Sequence, residues 1–208
     1  MREEGSNSGG GEIGVLALQG GFRPHLEVLG RLGLRAREVR VPGDLVGIEG
    51  LVLPGGESSV QRKLLASSGL RAPLLELIRS GLPTLGTCAG LILLADRVLE
   101  GPESTRLEPP ELGGLAITVR RNAWGRQLDS FEGTSDEGRP LLFIRAPRIE
   151  AVSDAVEVMD RLDGEPIWVR QGAIHGLSFH PELAGELWVH RAVFSPPVPV
   201  VAPVPVAI

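Results

Sequence analysis

The chain has 208 residues, of which 42% are hydrophobic and 23% are charged, and this balance is typical of a globular protein rather than a disordered one. The net charge of −5 gives no indication of a nucleic-acid or anionic-membrane partner, and the one cysteine excludes an intrachain disulfide and fits a reducing compartment. No apolar run approaches the roughly 20 residues that a membrane helix needs. We therefore expect a cytoplasmic protein with one α/β domain, which contacts neither nucleic acid nor membrane.

The two ends of the chain differ in composition from the sequence between them. Residues 1–11 (MREEGSNSGGG) have the Gly/Ser-rich character of a flexible leader. Residues 195–208 contain five prolines and five valines, and proline at that density forbids a helix or a central strand. We predict an extended, disordered tail there, and one folded domain over residues 12–194.

The first half of the domain alternates between strand patterns and helix patterns. Short apolar runs are typical of strands that are buried on both faces of a parallel sheet, and leucines at helical spacing follow them. We expect strands at 13–18, 35–41, 50–53 and 82–85, with helices around Leu26 to Leu32, across 58–80 with a break near 67–69, and after Cys88.

From residue 97 onward the pattern changes. Residues 97–113 are rich in Pro, Gly and Glu and predict a loop. Short alternating runs follow, which are typical of strands, some of them antiparallel. These runs lie at 115–119, 141–144, 156–159, 166–169 and 173–179, and a short final helix is expected within 183–194. The whole pattern predicts an α/β fold with a mostly parallel central sheet, helices on both of its faces and a β-rich second half.

The one cysteine, Cys88, lies in the sequence Gly86-Thr87-Cys88-Ala89-Gly90, between a predicted strand and a predicted helix. A Gly-x-nucleophile-x-Gly turn of this kind is a nucleophile elbow, in which a side chain at either glycine would clash with the neighbouring strand or helix. The helix N-terminus beneath the thiol favours the reactive thiolate. A lone cysteine is more often a small buried hydrophobic residue. The flanking glycines and the strand-to-helix switch favour a nucleophile here.

A base and an orienting group for this thiol are present in His180-Pro181-Glu182, which follows an apolar run. Residues two apart in an extended chain project to the same side, so Glu182 can accept a hydrogen bond from one imidazole nitrogen while the other faces Cys88. Taken alone, the same residues also fit a strand-ending turn with a solvated glutamate. The elbow favours the catalytic interpretation.

A second glycine-rich turn, Pro54-Gly55-Gly56-Glu57-Ser58-Ser59, follows the predicted strand at 50–53. Two glycines let the backbone approach a ligand and direct N–H groups toward it. The N–H groups of Gly56 and Ala89 are therefore candidate donors of an oxyanion hole. The alternative is an ordinary strand-to-helix turn with Ser58 as the helix N-cap.

Other polar residues give weaker signals. Arg121-Asn122 and Ile144-Arg145 each follow an apolar strand, and arginine can hold a carboxylate with two hydrogen bonds. On the sequence alone, a solvated arginine at a strand end is the more common situation. The remaining histidines, at positions 25, 175 and 190, have no partner pattern and are interpreted as surface or satisfied residues. No cluster has metal-ligand spacing, and no dinucleotide or phosphate loop is present.

Together these segments resemble the class I, triad-type glutamine amidotransferases and, more narrowly, the glutaminase subunits of pyridoxal 5′-phosphate synthases. The resemblance extends from residue 13 to about residue 192. The matching segments are GVLALQG (14–20), LVLPGGESS (51–59), GTCAGLILLA (86–95), RNAWGRQLDSFEG (121–133), FIRAPRIE (143–150) and SFHPEL (178–183).

The resemblance implies a flavodoxin-like amidotransferase fold, with Cys88 as nucleophile, His180 as base and Glu182 as its orienting partner. It implies that no cofactor is bound and that glutamine is hydrolysed to glutamate and ammonia. The ammonia would pass to a barrel-shaped synthase subunit, the partner that builds pyridoxal 5′-phosphate (vitamin B6). The implied glutamine contacts are Gly56, Glu57, Ser58, Arg121, Ile144 and Arg145.

Two other functions fit parts of the pattern. A cysteine hydrolase of the α/β-hydrolase type shares the elbow, but its acid normally precedes its histidine in the sequence. Here the order is Cys88, His180, Glu182, which disfavours that class. A catalytically silent regulatory subunit would lack a triad member, and all three are present.

Overall fold

The computed structural model describes residues 11–101, 105–108, 110–121, 123 and 130–195. Nearly all of the predicted leader, the predicted tail beyond Ser195, and Asn122 lie outside the described residues. The division of the chain into leader, domain and tail therefore stays a prediction.

The described residues alternate between strand and helix up to residue 94 and are rich in strands after it. The strands are β1 (Glu12–Leu16), β2 (Ala36–Val39), β3 (Ile48–Leu53), β4 (Thr84–Thr87), β5 (Ala95–Leu99), β6 (Leu107–Glu108), β7 (Leu115–Arg120), β8 (Phe131–Thr134), β9 (Pro140–Phe143), β10 (Arg148–Val152), β11 (Glu157–Leu162), β12 (Glu165–Gln171) and β13 (Ile174–Leu177). The helices are α1 (Phe22–Arg31), α2 (Ser58–Ser68), α3 (Arg71–Arg79), α4 (Ala89–Leu94) and α5 (Trp188–Phe194), with a 3₁₀ turn at Pro42–Leu45.

The central sheet has the strand order β11-β12-β13-β4-β3-β1-β2. The pairs β1–β2, β1–β3, β3–β4 and β4–β13 are parallel, whereas β11 and β12 add to the β13 edge in antiparallel fashion. The predicted mostly parallel central sheet is therefore confirmed. Every residue of the inner strands β4 and β13 is buried, so their sequences do not alternate between apolar and exposed polar residues.

Helices cover both faces of this sheet, as predicted. On one face α2, α3 and α4 pack through buried leucines such as Leu65, Leu74 and Leu91. On the other face α1 and α5 pack through Leu29 and Val189. The predicted break near 67–69 falls where α2 ends at Ser68 and α3 begins at Arg71. Among the described residues, no helix is long and apolar enough to cross a membrane.

The prediction of a loop over residues 97–113 is wrong in part. Strand β5 runs to Leu99, pairs in parallel with β7 and in antiparallel fashion with the short β6, and belongs to a second sheet with the order β10-β7-β5-β6. Its middle residues Asp96 and Arg97 are exposed, and it follows α4 directly, so its sequence has neither an apolar run nor a turn signal before it. The final helix, Trp188–Phe194, lies within the predicted range of 183–194.

The carboxyl ends of β3, β4 and β13 lie side by side at one edge of the central sheet. Each of these ends leads into one of the sequence-predicted motifs. The Gly55-Gly56 turn follows β3, Cys88 follows β4, and His180 lies shortly after β13. Ligand sites of open α/β sheets form at this edge, because the loops after parallel strands meet there.

Candidate active site

Cys88 has the backbone of a nucleophile elbow. Its φ of 49° and ψ of −100° fall outside the regions that side-chain-bearing residues prefer, and its N–H donates a hydrogen bond to the carbonyl of Leu177 at 2.8 Å. A Cβ on Gly90 would lie 2.0 Å from the carbonyl oxygen of Leu53, and one on Gly86 would lie 2.7 Å from the carbonyl carbon of Gly90. Both flanking glycines are therefore required by packing, as predicted.

His180 and Glu182 form a buried pair behind this thiol. Nδ1 of His180 lies 2.7 Å from Oε1 of Glu182, and the two residues are 6% and 5% exposed. The backbone N–H of His180 donates to the carbonyl of Leu142 at 2.8 Å, which fixes the segment against β9. The imidazole also packs on Gly55, where a Cβ would lie 2.3 Å from its Cε1. The interpretation of this segment as a turn with a solvated glutamate is wrong.

The electrostatics of the pair favour a charged imidazole. Burial lowers the pKa of His180, but hydrogen bonding to Cys88 and Glu182 and attraction to their charges outweigh it and raise the pKa to about 10. Burial raises the pKa of Glu182, but electrostatic interactions with His25 and His180, the hydrogen bond from His180 and one from its own backbone more than offset this and hold that pKa below its usual range. The site therefore stabilises an imidazolium between a carboxylate and a sulfur.

The glycine-rich turn after β3 is held by hydrogen bonds to the turn after β1. The N–H of Gly21 donates to the carbonyl of Gly55 at 3.0 Å, and the N–H of Glu57 donates to Oε1 of Gln19 at 3.0 Å. The α2 N-cap is Glu57, whose Oε1 accepts from the N–H and the hydroxyl of Ser59. The alternative that Ser58 is the N-cap is therefore wrong, and the side chain of Ser58 is buried instead.

One cavity of about 160 Å³ brings the sequence-predicted residues together. Arg121 lies at it with Nη2 3.2 Å from Oε1 of Glu57, and the Cys88 sulfur lies 3.9 Å from the carbonyl oxygen of Ile144. Ala89, the first residue of α4, is outside the lining. The sequence-predicted residues that line the cavity are Gly56, Glu57, Ser58, Cys88, Arg121, Ile144, Arg145, His180 and Glu182.

The sequence did not reveal a third group beside the triad. His25 is fully buried in α1, with Nε2 3.5 Å from Oε1 of Glu182 and Nδ1 2.8 Å from Nε2 of His190. It shares a helical stripe with buried Val28 and Leu29, and that i, i+3, i+4 spacing is the signal that places it in the core. Of the two alternatives predicted for His25 and His190, a surface residue or a satisfied one, the surface alternative is wrong, and the two rings are hydrogen-bonded to each other instead.

The third remaining histidine is satisfied but also buried. Nδ1 of His175 accepts from Nε1–H of Trp168 at 3.2 Å, and the residue is 7% exposed. It takes no part in the cavity. Over the described ranges, no group of three or more His, Cys, Asp or Glu side chains is arranged to hold a metal ion.

Residues 15–194 match the sequence profile described as the SNO glutamine amidotransferase family. The chain belongs to the SNO glutamine amidotransferase family. Curated relatives carry the name pyridoxal 5′-phosphate synthase subunit PdxT. The one from Corynebacterium jeikeium is 53% identical over 86% of this chain and 93% of its own length. The one from Nocardioides sp. is 50% identical over 86% of this chain and 92% of its own length.

Solved structures of glutamine amidotransferases superpose on this chain. A crystal structure of a glutamine amidotransferase superposes with a TM-score of 0.80 at 42% identity, over 87% of this chain and 96% of the other. A glutamine amidotransferase from Thermotoga maritima superposes with a TM-score of 0.54 at 14% identity, over 82% of this chain and 76% of the other, and shows the fold alone. The family and the amidotransferase fold expected from the sequence are confirmed.

Proposed function

We propose that this SNO-family chain hydrolyses L-glutamine to L-glutamate and ammonia through Cys88, His180 and Glu182, as the glutaminase subunit of a pyridoxal 5′-phosphate synthase. The observation that carries the proposal is the cavity, in which a strained thiol and a buried His–Glu pair face the same space as Arg121. The names of the curated relatives support the same assignment.

The chemistry begins at the Cys88 sulfur, which lines the same cavity as His180 and reacts as the thiolate. The thiolate attacks the side-chain amide carbon of glutamine, and the N–H groups of Gly56 and Ala89 are the proposed donors to the oxygen that becomes negative. His180 gives its proton to the leaving nitrogen, the C–N bond breaks, and ammonia departs from a thioester. Water then adds to the thioester with His180 as base, the C–S bond breaks, and glutamate and the thiolate form.

Charges at the cavity match the two charges of an amino acid. Arg121 can pair with the α-carboxylate of glutamine, and the half-exposed carboxylate of Glu57 can accept from the α-ammonium group. The two side chains now pair with each other, so glutamine would replace their mutual contact. Arg145, whose φ is 44°, also lines the cavity, and its guanidinium is a second positive charge there. Ile144 presents its carbonyl oxygen beside the Cys88 sulfur.

Ammonia made in this cavity would pass to the synthase subunit. We expect the free chain to be nearly inactive until that partner docks, with the Gly55-Gly56 turn as the switch, because a Gly–Gly peptide can rotate at low cost. In the present structure the Gly55 carbonyl is bound by Gly21 N–H, so its rotation would break that hydrogen bond. A cytoplasmic location, where a free thiol stays reduced, is part of the proposal.

The test is a glutaminase assay on Cys88→Ala, with and without the synthase subunit. We expect glutamate formation by the complex to fall at least about 1000-fold, because the covalent route is lost. Ser67→Ala, which removes one oxygen from the exposed side of α2, is the control and should keep the full rate. The near-UV circular dichroism of both variants should match that of the unaltered chain.

Two results would contradict separate parts of the proposal. Glutamate formation by Cys88→Ala near the unaltered rate would show that Cys88 is not the nucleophile. Equal rates of the unaltered chain with and without the synthase subunit would show that the partner does not control the site.

A further inference from the structure

Two buried histidines extend the triad into the core on the side away from the cavity. His25 comes from α1 and His190 from α5, and both are 0% exposed. The groups that face His25 are Glu182 at 3.5 Å from its Nε2, Thr87 at 3.3 Å from the same nitrogen, and His190 at 2.8 Å from its Nδ1. His180, which is hydrogen-bonded to the same Glu182, also acts on His25 electrostatically.

Burial favours the neutral form of both histidines. Burial lowers the pKa of His25, attraction to Glu182 opposes this, and repulsion from His180 adds to the lowering. Burial is the largest cause that lowers the pKa of His190, which falls to about 3 despite attraction to Glu182. A neutral imidazole has one N–H and one lone pair, so each ring must be in one of two tautomers.

The surroundings of the two rings determine which nitrogen of each ring carries the proton. Nδ1 of His190 is buried and has no hydrogen-bond partner among the described residues, so a proton there would be an unsatisfied donor. The proton of His190 therefore belongs on Nε2, where it is donated to Nδ1 of His25. This leaves the proton of His25 on Nε2, facing Thr87 and Glu182. With the protons on the opposite nitrogens, the Nε2 lone pair of His25 would face the carboxylate of Glu182, which is unfavourable.

Glu182 benefits from a second donor because its carboxylate is buried and incompletely hydrogen-bonded. Its Oε1 faces both His180 and His25, its own backbone adds a hydrogen bond, and its Oε2 is buried with no hydrogen-bond partner among the described residues. A second donor at Oε1 restrains the carboxylate from turning about the His180 hydrogen bond and lowers the cost of keeping it ionised.

We infer that His25 is a positioning residue of the triad, which directs its Nε2–H at Glu182 and is fixed in that tautomer by His190. The inference rests on the proposed function, because the pair that it positions is the proposed base and its partner. It assigns His25 no contact with substrate.

Two amide substitutions separate positioning from packing. In His25→Gln the amide nitrogen reaches the place of Nε2 and keeps a donor toward Glu182. In His25→Asn the amide reaches only the place of Nδ1, so this variant keeps the hydrogen bond to His190 and loses the donor toward Glu182. A packing role predicts that both variants behave alike.

We expect His25→Asn to lower kcat of the synthase complex by up to about 100-fold with little change in KM, because a misplaced base slows the chemistry and leaves the binding groups intact. The acid limb of its kcat/KM profile should move to higher pH, since Glu182 loses a donor to its ionised form. His25→Gln should retain the larger part of kcat and the unaltered profile. His175→Gln, a buried histidine bonded to Trp168, is the control and should change neither.

Nitrogen-15 NMR of the histidine rings supplies a readout that does not need activity. We expect the Nε2–H tautomer, uncharged, for both His25 and His190 at neutral pH. A charged His25, its Nδ1–H tautomer, or equal kcat values and profiles for the Asn and Gln variants would overturn the inference. Failure of the proposed function looks different: the unaltered complex then makes no glutamate from glutamine, and the NMR measurement alone decides on His25.

Discussion

Backbone strain in the described residues is concentrated at the cavity. Among the non-glycine residues there, Cys88, Arg145 and Asp163 have positive φ, and the first two line the cavity. Asp163 lies before Gly164 in the tight turn between β11 and β12, where a positive φ is ordinary. A strained backbone conformation of this kind costs about 1–3 kcal/mol, so the surrounding packing must hold Cys88 and Arg145 in place. A thiol held this way reacts without first reorganising.

Gly55 tests how closely the His180 ring must be placed. The Cβ of Gly55→Ala would lie 2.3 Å from Cε1 of His180, so the imidazole would have to shift from its place in the triad. We expect the glutaminase rate of the complex to fall by about 100-fold, the loss that follows a shift of about 1 Å in a catalytic group. The measurement is steady-state glutamate formation.

The control for this change is Gly43→Ala, in the 3₁₀ turn, where a Cβ meets no atom within 4 Å. It should keep the unaltered rate. A Gly55→Ala complex with full activity would mean that His180 has room to retreat without losing the thiol, which contradicts the packing described above.

At the scale of elements, α1 carries His25 but is not built for maximum stability. Its N-cap Gly21 has no side-chain hydrogen bond, and Gly30 lies near its C-terminus with no atom within 4 Å of a Cβ. Glycine destabilises a helix because it loses more conformational freedom than alanine. We expect Gly30→Ala to raise the free energy of unfolding by about 0.5–1 kcal/mol, measured by urea denaturation.

Gly33 is the matched control, since a Cβ there also meets nothing within 4 Å but its φ is +74°. Alanine at Gly33 would have to adopt the left-handed conformation, which costs about 1–2 kcal/mol. We expect opposite signs for the two variants. Equal effects would show that backbone conformation does not decide stability at this end of α1.

The elements that form the site were predictable because each carries a local signal. Inner strand β3 ends in the apolar run Leu51-Val52-Leu53, and Cys88, His180 and Glu182 lie in short motifs at strand ends. Strand β5 was missed because its exposed Asp96 and Arg97 interrupt the pattern. Strands β8 and β10 are mostly exposed and have no apolar run either.

His25 was missed for a different reason. Its partners Glu182 and His190 are more than 150 positions away in the sequence, so no local spacing records the contact. Arg121 and Arg145 were predicted from resemblance, since an arginine at a strand end is usually solvated. Their place at the cavity follows from which strand ends meet, and that is decided by the sheet order.

At the scale of the whole molecule, the triad lies at the edge of the central sheet formed by the carboxyl ends of β3, β4 and β13, where residues from both layers of helices come together. Helices α2 and α4 supply the cavity side through Glu57, Ser58 and the elbow, while α1 and α5 supply His25 and His190 from the other face. The same layers that bury the apolar residues therefore also bury Glu182 and the histidines His25 and His190, whose pKa values burial lowers. Stability and catalysis depend on the same protonation states.

The pH dependence of stability follows from these buried groups. Burial lowers the pKa of His175 to about 4 and that of His190 to about 3, below the ordinary value of 6.5, so the unfolded chain binds their protons first as the pH falls. Their contribution is present above about pH 6.5 and is lost below it. His180 acts in the opposite sense: its pKa is raised to about 10, so its contribution is fully present below 6.5 and is lost as the pH rises through 10.

We therefore expect the urea midpoint, followed by tryptophan fluorescence, to be lower at about pH 5 than at about pH 7, because histidine protonation favours the unfolded chain. It should fall again toward about pH 10 as His180 loses its proton. His175→Gln removes one of the acid-sensitive groups and should make the acid decline shallower while leaving the alkaline decline unchanged. A midpoint that is constant from about pH 7 down to about pH 5 would contradict the neutral, buried state of these histidines.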